Sequence, residues 1–350
     1  MSKIPVAVLG ATGTVGQKFV TLLKNHPQFE MRELVASPRS AGKSYKEAVR
    51  WKQDEDIPAA AANMTVLPLD SELQSRILFS GLDSSVAGEA ESRFAAAGHI
   101  VISNSKNHRM DPLVPLVIPE INADHFALMS RQPGKGAIIT NSNCSTMFLT
   151  MALAPLHEAF GLESVQVSTM QAISGAGYPG TSGMDILGNV IPYIPGEEDK
   201  LETEPLKILG ALTETGIRPA SFTLSAQCNR VPVSDGHSEN VSIQFRRQNQ
   251  RSPHPSPADV KEVLRNFTGG MKQRLYSSPE SFIVLRDNDD RPQPLLDLHV
   301  NKGMSVVVGR IRPCPVMDMK MTILGHNTIR GAAGAAILNA EAMLALGYVR

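Results

Sequence analysis

Val6-Ala7-Val8-Leu9-Gly10-Ala11-Thr12-Gly13-Thr14-Val15-Gly16 is the stretch that decides the fold. Four apolar residues read as a buried strand. Three glycines spaced three apart read as a tight turn. Gln17–Lys24 then reads as a helix that ends at Asn25-His26-Pro27. Glycines let the chain turn sharply and let a pyrophosphate approach the N–H groups of a helix N-terminus. The spacing is GxxGxxG rather than GxGxxG, a variant of the dinucleotide fingerprint. A glycine-rich turn without a ligand is the alternative.

The same rhythm continues outward. Met31–Ala36, Ile77–Phe79, Ile100–Ile102 and Leu116–Ile118 read as strands, and Glu89–Ala97 as a helix. Strands alternating with helices predict a parallel, doubly wound α/β sheet of the Rossmann type. Beyond residue 143 the pattern changes. Val165–Thr169, Val241–Phe245 and Met304–Ile311 are β-rich, and Pro257–Phe267 reads as a helix starting near Ser256 or Ser252. That predicts a second, α+β unit with a mixed or antiparallel sheet. Gly175–Glu198 reads as a long functional loop and Arg246–Pro257 as a surface excursion. Thr328–Tyr348 reads as one helix about 30 Å long. Its Gly331-Ala332-Ala333-Gly334 stretch allows close approach to another backbone. Packed back on the first sheet, it makes that domain discontinuous: 1–142 with 328–350 for the dinucleotide, and 143–327 for catalysis and dimerisation.

Composition excludes several classes. The 350 residues carry 34 basic and 34 acidic side chains, so no field favours nucleic acid or an anionic membrane. No apolar run reaches the ~20 residues of a membrane span, and no targeting segment is visible. Cys144, Cys228 and Cys314 are far apart with no CxxC pair, so no metal site or disulfide framework is expected. Reduced thiols suit a cytoplasmic protein.

Two segments carry chemistry. The end of the second strand, Ala36-Ser37-Pro38-Arg39-Ser40-Ala41-Gly42-Lys43, offers cations and no acid, and Glu33 lies too early to hold a ribose hydroxyl. This favours NADP(H) over NAD. In Asn141-Ser142-Asn143-Cys144-Ser145-Thr146 the thiol stands where a loop opens into an apolar helix. The positive end of a helix eases ionisation of a thiol there, and a thioester on it would accept hydride.

The motifs taken together resemble the aspartate-semialdehyde dehydrogenase family, in its archaeal and fungal branch. GATGTVG, ASPRSAGK, ISNSKNHRM, VPLVIPEIN, SNCST, QAISGAG, EEDK, RVPVSDGH and HNTIRGAAG occur in the family's order over nearly the whole chain. The resemblance implies NADPH-dependent reduction of L-aspartyl 4-phosphate to L-aspartate 4-semialdehyde, with release of phosphate. It implies Cys144 as nucleophile, His237 as acid/base and Gln171 as the residue that positions the acyl group. Arg230 would hold the substrate carboxylate and Glu197 its ammonium. Lys200, Arg109 and Asn143 would hold phosphate. Gly10, Thr12, Gly13, Thr14, Val15 and Gly16 would cradle the pyrophosphate. Arg39, Ser40 and Lys43 would meet the 2′-phosphate. Ser80 and Ser85 bound a turn expected to touch the cofactor, and Ser174, Gly175, Gly177 and Asn327 are expected near the nicotinamide. A homodimer or homotetramer is implied. Asp199 replaces a Trp usual in bacterial members, and Lys200–Arg230 is longer than in that branch. Rival readings are a malonyl-CoA reductase, an N-acetyl-glutamyl-phosphate reductase and a non-catalytic NADP-binding protein. The presence of both Cys144 and His237 argues against the last.

Overall fold

The computed structural model describes residues 3–247 and 254–349. Strands β1 (Ile4–Leu9), β2 (Phe29–Ala36), β3 (Val66–Pro68), β4 (Ile77–Ser80), β5 (Ile100–Ser103) and β6 (Ala137–Thr140) form one sheet in the order β3-β2-β1-β4-β5-β6. Every pairing in it is parallel. The strand order reverses between β1 and β4, which is where such folds open a ligand crevice. Helix α1 (Thr14–Leu23) follows the glycine turn, and α2 (Ser84–Ala97) follows β4. Gly10 has φ +75°, and a Cβ on it would lie 2.7 Å from the Gly81 carbonyl oxygen. A Cβ on Gly16 would strike the Gly10 carbonyl oxygen. These two glycines let β1, α1 and the turn after β4 meet backbone to backbone.

Helix α3 (Cys144–Phe160) leads from β6 into a second sheet. Its strands are β7 (Leu162–Gln171), β8 (Thr223–Arg230), β9 (His237–Phe245), β10 (Ile283–Arg286), β11 (Val306–Pro313) and β12 (Met319–Gly325). They lie in the order β8-β7-β9-β12-β11-β10 and mix parallel with antiparallel pairs. Met151, Leu153 and Leu156 of α3 share a core with Val165, Val167, Val241, Ile243, Val308 and Ile323 on one face. The opposite face shows Gln166, Ser168, Asn240 and Ser242, and is polar. Helix α4 (Glu197–Ile208) packs along β8, and α5 (Pro257–Arg265) packs against α3. Ser256 caps α5 in a reciprocal box with Asp259.

Several sequence expectations need correction. Leu116–Ile118 is not a strand. Pro115 and Pro119 bracket it, Asn122 bonds both Leu116 and Ile118 with its side chain, and only a bridge to Thr140 remains. The sixth strand is Ala137–Thr140 instead. Gly175–Glu198 is mostly loop, but Glu197 already opens α4. The C-terminal helix is continuous but shorter than expected, and its first turn is wider. A π-helical turn spans Ile329–Ala333, and α6 (Gly334–Ala345) follows. The wide turn sets Gly331 against Cys144, where a Cβ would lie 2.7 Å from the cysteine Cβ. Ala336, Ile337 and Ala340 of α6 pack into the first sheet's core with Val6, Phe79 and Ile102. Ser252 and part of the Arg246–Pro257 excursion lie outside the described residues.

Candidate active site

The register of the second sheet assembles one side of the site. Gln171, the last residue of β7, pairs with Arg230, the last of β8. His237 begins β9, which runs antiparallel to β7. These three side chains therefore meet at one end of the sheet. Cys144 arrives from the other side as the first residue of α3. Asn143 caps that helix, its Oδ1 accepting from Ser145 N–H at 2.9 Å and Thr146 N–H at 3.2 Å.

Two carboxylates tie the halves together. Glu197 Oε1 accepts from Asn143 Nδ2 at 2.7 Å and Gln171 Nε2 at 3.2 Å, and Oε2 from Lys200 Nζ at 2.8 Å. Burial alone would keep Glu197 neutral, but Lys200 and these donors hold its pKa below the usual range. Glu204 Oε2 accepts the Asn143 main-chain N–H at 2.7 Å, and Oε1 accepts from Arg109 Nη1 at 2.9 Å. Lys207 Nζ donates to the carbonyls of Arg109, Asp111 and Val114. Glu204 and Lys207 were missed in the sequence. Glu197, Lys200, Glu204 and Lys207 recur at the spacing of one helical face, and that signal could have found them.

Arg230 is buried, and its Nη1 donates to the Ala172 carbonyl at 2.7 Å. His237 is fully buried. Its Nδ1 accepts from Ala172 N–H at 3.0 Å, and its Nε2 has no partner among the described residues. Burial and the adjacent Arg230 push its pKa down to about 3. The Cys144 thiol departs from expectation. Burial and the Glu197 charge push it up to about 12, outweighing Arg109, Lys200 and the helix amide of Ser145. Both shifts favour the uncharged forms, a thiol at Cys144 and a neutral imidazole at His237.

A cleft of about 670 Å³ runs from this centre to the glycine turn. Cys144, Asn143, Arg109 and Lys200 line one end. Gly10, Thr12, Gly13, Thr14, Val15, Ser37 and Pro38 line the other. Ser174, Gly175, Gly177 and Asn327 lie between. Asn327 ties this middle together, its Oδ1 accepting from Gly236 N–H at 2.9 Å and its Nδ2 donating to Ser174 Oγ at 2.8 Å. The glycine turn lines the cleft with backbone at the start of α1, which fits a dinucleotide pyrophosphate. Arg39 and Lys43 are exposed just beyond Pro38, and Ser40 is buried beside them. Among the described residues no cluster of three or more His, Cys, Asp or Glu side chains could hold a metal ion.

Comparison with known proteins follows this division. Residues 5–129 match the semialdehyde dehydrogenase NAD binding domain, and residues 153–330 match its dimerisation domain. The chain is 47% identical to aspartate-semialdehyde dehydrogenase of Schizosaccharomyces pombe, covering 98% of this chain and 99% of that one. It belongs to the aspartate-semialdehyde dehydrogenase family. The Archaeoglobus fulgidus aspartate-semialdehyde dehydrogenase is 46% identical, with 97% of each chain covered. A crystal structure of the Candida albicans aspartate-semialdehyde dehydrogenase with NADP superposes with a TM-score of 0.90 at 45% identity, covering 99% of this chain and 100% of that one. The branch read from the motifs is thus the right one.

Two expected cofactor contacts are placed elsewhere. Ser80 is buried, and its hydroxyl donates to Glu91 at 2.6 Å. Ser85 donates to Asp83, which caps α2. The turn itself lines the cleft, but through Gly81, Leu82, Asp83 and Ser84. Gly16 is buried beneath the cradle and serves packing. Glu33 accepts from the N–H groups of Gln74 and Ser75, so it is spent on the fold. No described helix is long and apolar enough to cross a membrane.

Proposed function

We propose that this chain reduces L-aspartyl 4-phosphate to L-aspartate 4-semialdehyde with NADPH, releasing phosphate, through a thioacyl intermediate on Cys144. The product serves synthesis of the aspartate-family amino acids lysine, threonine and methionine. One observation carries the reading. In a chain of this family, a helix-start cysteine, a buried histidine, an arginine and a Glu–Lys pair converge at one end of a cleft whose other end is a glycine cradle.

Each group has a role that its position supports. The Cys144 sulfur attacks the acyl phosphate. Only Nη1 of Arg230 is engaged among the described residues, which leaves guanidinium N–H groups for a substrate carboxylate. Glu197, ionised and facing Cys144, suits the substrate ammonium. Lys200, Arg109 and Asn143 border the cleft beside the thiol and suit phosphate. Gln171 fixes the acyl group, and His237 turns Nε2 toward it. The glycine cradle, with Arg39, Ser40 and Lys43 at its rim, suits NADPH, which when bound supplies hydride to the thioester carbon. Residues 1–142 and 328–350 act as the dinucleotide-binding domain, and 143–327 as the catalytic and dimerisation domain. The assembly is a homodimer or a dimer of dimers, in a reducing cytoplasm.

A spectrophotometric assay of NADPH oxidation tests the function, with aspartyl phosphate and malonyl-CoA offered in parallel. Oxidation with aspartyl phosphate at a much higher kcat/KM is expected. Preference for the CoA ester would overturn the substrate.

A further inference from the structure

We propose that the buried ion pair Arg330–Glu120 is a positioning device for hydride transfer: it fixes the wide turn Ile329–Ala333 so that Gly331 seats Cys144 at a set distance from the middle of the cleft. Neither member of the pair lines the cleft, so Arg330 acts through Gly331 and the cysteine. The proposal rests on the reading of Cys144 as the acyl carrier.

The pair is enclosed and two-pronged. Arg330 is fully buried and Glu120 is nearly so. Arg330 Nη1 donates to Glu120 Oε1 at 2.6 Å and Nη2 to Oε2 at 3.0 Å. Nη2 also donates to Met151 Sδ at 3.2 Å. Met151 stands two turns along the helix that Cys144 begins. One guanidinium therefore joins its own turn, the segment around Glu120 and α3.

Both ends of the pair are anchored. Glu120 sits in the helical turn Pro119–Asn122, which the Asn122 side chain fastens to Leu116 and Ile118. The Glu120 carbonyl accepts from Gly270 N–H at 2.7 Å. Just upstream, Val117 N–H donates to the Thr140 carbonyl and Thr140 N–H to the Pro115 carbonyl. These bonds tie the segment to the end of β6, shortly before Cys144. On the other side, the wide turn carries its own bonds, Gly331 N–H to the His326 carbonyl at 3.0 Å and Ala333 N–H to the Thr328 carbonyl at 3.2 Å. Asn141 Nδ2 donates to the Ala332 carbonyl at 3.0 Å, and Asn339 Nδ2 donates to Asn141 Oδ1 at 2.6 Å.

The turn meets the cysteine by close approach. A Cβ on Gly331 would lie 2.7 Å from Cys144 Cβ, 3.1 Å from its Cα and 3.2 Å from Phe148 Cζ. The start of α3 thus rests on the main chain of the turn. Gly331 and Ala332 line the cleft with Cys144, and so do Asn327 and Thr328 just before the turn. One piece of backbone is therefore the seat of the thiol and the floor of the middle of the cleft. Moving that backbone moves the thioester carbon relative to the place from which hydride arrives. Widened helical turns of this kind are frequent at functional sites.

Stability alone does not account for the pair. Apolar side chains of similar volume often hold a buried site as firmly as an ion pair does. The pair adds direction, because a planar fork on a carboxylate fixes orientation as well as distance. Arg330 Nε has no partner among the described residues, so the orientation rests on the two Nη groups.

The double variant R330M/E120Q tests this against wild type, with NADPH and aspartyl phosphate both saturating. Removing both charges strands neither, so its Tm should stay near that of wild type. Its kcat should fall ~10²-fold, the scale expected when a substitution remote from the chemistry misplaces reacting atoms by about 1 Å. The deuterium isotope effect on kcat, measured with NADPH deuterated at the transferred hydrogen, should rise, because hydride transfer becomes the slow step. R330K keeps the charge without the fork and should fall between the two. Iodoacetamide labelling of Cys144 should quicken severalfold in the double variant as the Gly331 seat loosens. A double variant with wild-type Tm, kcat and isotope effect would overturn the proposal. So would a kcat that falls only in step with Tm while the isotope effect stays unchanged, which is what a merely structural pair gives. If the double variant does not fold, R330K is judged by the same measurements and the same outcomes. A wild-type protein inert toward every acyl donor would overturn the proposed function instead. Labelling, which needs no turnover, then judges the seat by itself, and an unchanged rate in the double variant overturns it.

Discussion

The two ends of the cleft are built on opposite principles. The dinucleotide end is made of backbone: Gly10 and Gly13 with neighbouring small residues, and exposed cations at its rim. The reacting end is made of buried side chains already bonded to one another, with Glu197 and Glu204 joining Asn143, Gln171, Lys200 and Arg109. A backbone-built site tolerates side-chain changes around it but not an added Cβ. A side-chain network tolerates no loss of a member. Breaking a buried pair on one side typically costs ~3–5 kcal/mol, because the remaining charge is stranded. Substitutions should therefore have large effects at the reacting end and small ones at the rim.

The largest effect should come from Cys144→Ala. Loss of a covalent nucleophile can cost about 10⁶-fold in kcat, while NADPH affinity and folding should persist, because the two ends are separately built. Incubation with acyl donor and no NADPH should leave the acyl group on Cys144, read by peptide mass spectrometry. Cys228, fully buried in the second core, should stay unlabelled, as should Cys314. Label on Cys228 would disprove the mechanism.

Arg230→Leu comes next. Removing one side of a desolvated charge pair costs about 2–5 kcal/mol, or roughly 30- to 5,000-fold in kcat/KM. NADPH titration should be unchanged. Arg230→Lys should recover little, since an ammonium lacks the planar fork. Normal kinetics in Arg230→Leu would transfer the carboxylate to another cation. Glu204→Gln breaks the carboxylate network that joins Asn143 to Arg109. It should lower stability by roughly 3 kcal/mol, seen as a reduced Tm.

This contrast also explains what was legible in the sequence. Glycine cradles announce themselves, because only glycine fits, and so the first sheet could be read from residues 6–16. Cys144, Gln171, Arg230 and His237 could be named from motifs. Their convergence follows from register between β7, β8 and β9, which no local pattern reveals. Strand β8, Thr223–Arg230, is half polar because α4 covers only one of its faces, so it was not read as a strand. Met319, Met321 and Ile323 do alternate with period two, and that strand was readable but overlooked. Cys144 shows the limit most clearly. Its place at a helix start argues for an easily ionised thiol, while burial and Glu197, both tertiary, decide the reverse.

That reversal gives a smaller, sharper test. Iodoacetamide labelling of unliganded Cys144 should be slow at neutral pH and rise about tenfold per pH unit, because the thiolate fraction grows that way below the pKa. No plateau should appear near neutrality. Glu197→Gln removes a negative neighbour, so the pKa should fall and labelling at fixed pH should speed up severalfold. A wild-type plateau near pH 7 would mean the helix end dominates after all.

The smallest effect belongs to the exposed rim. Arg39 and Lys43 have no ion-pair partner among the described residues, and they follow Ser37 and Pro38, which line the cleft. An exposed guanidinium meeting a phosphate makes a charge-assisted hydrogen bond, but solvent screens it, so its loss should cost about 1–1.5 kcal/mol. Arg39→Ala should therefore weaken NADPH binding about tenfold and leave NADH binding almost untouched. Arg39→Ala with Lys43→Ala should narrow the gap between the two cofactors further, and raised salt should mimic the substitution in wild type. Fluorescence titration of both cofactors reads all three. Equal losses for NADPH and NADH would remove the 2′-phosphate from these residues. A loss as large as that of Arg230→Leu would break the contrast itself, since it would show the rim to be as tightly organised as the reacting end.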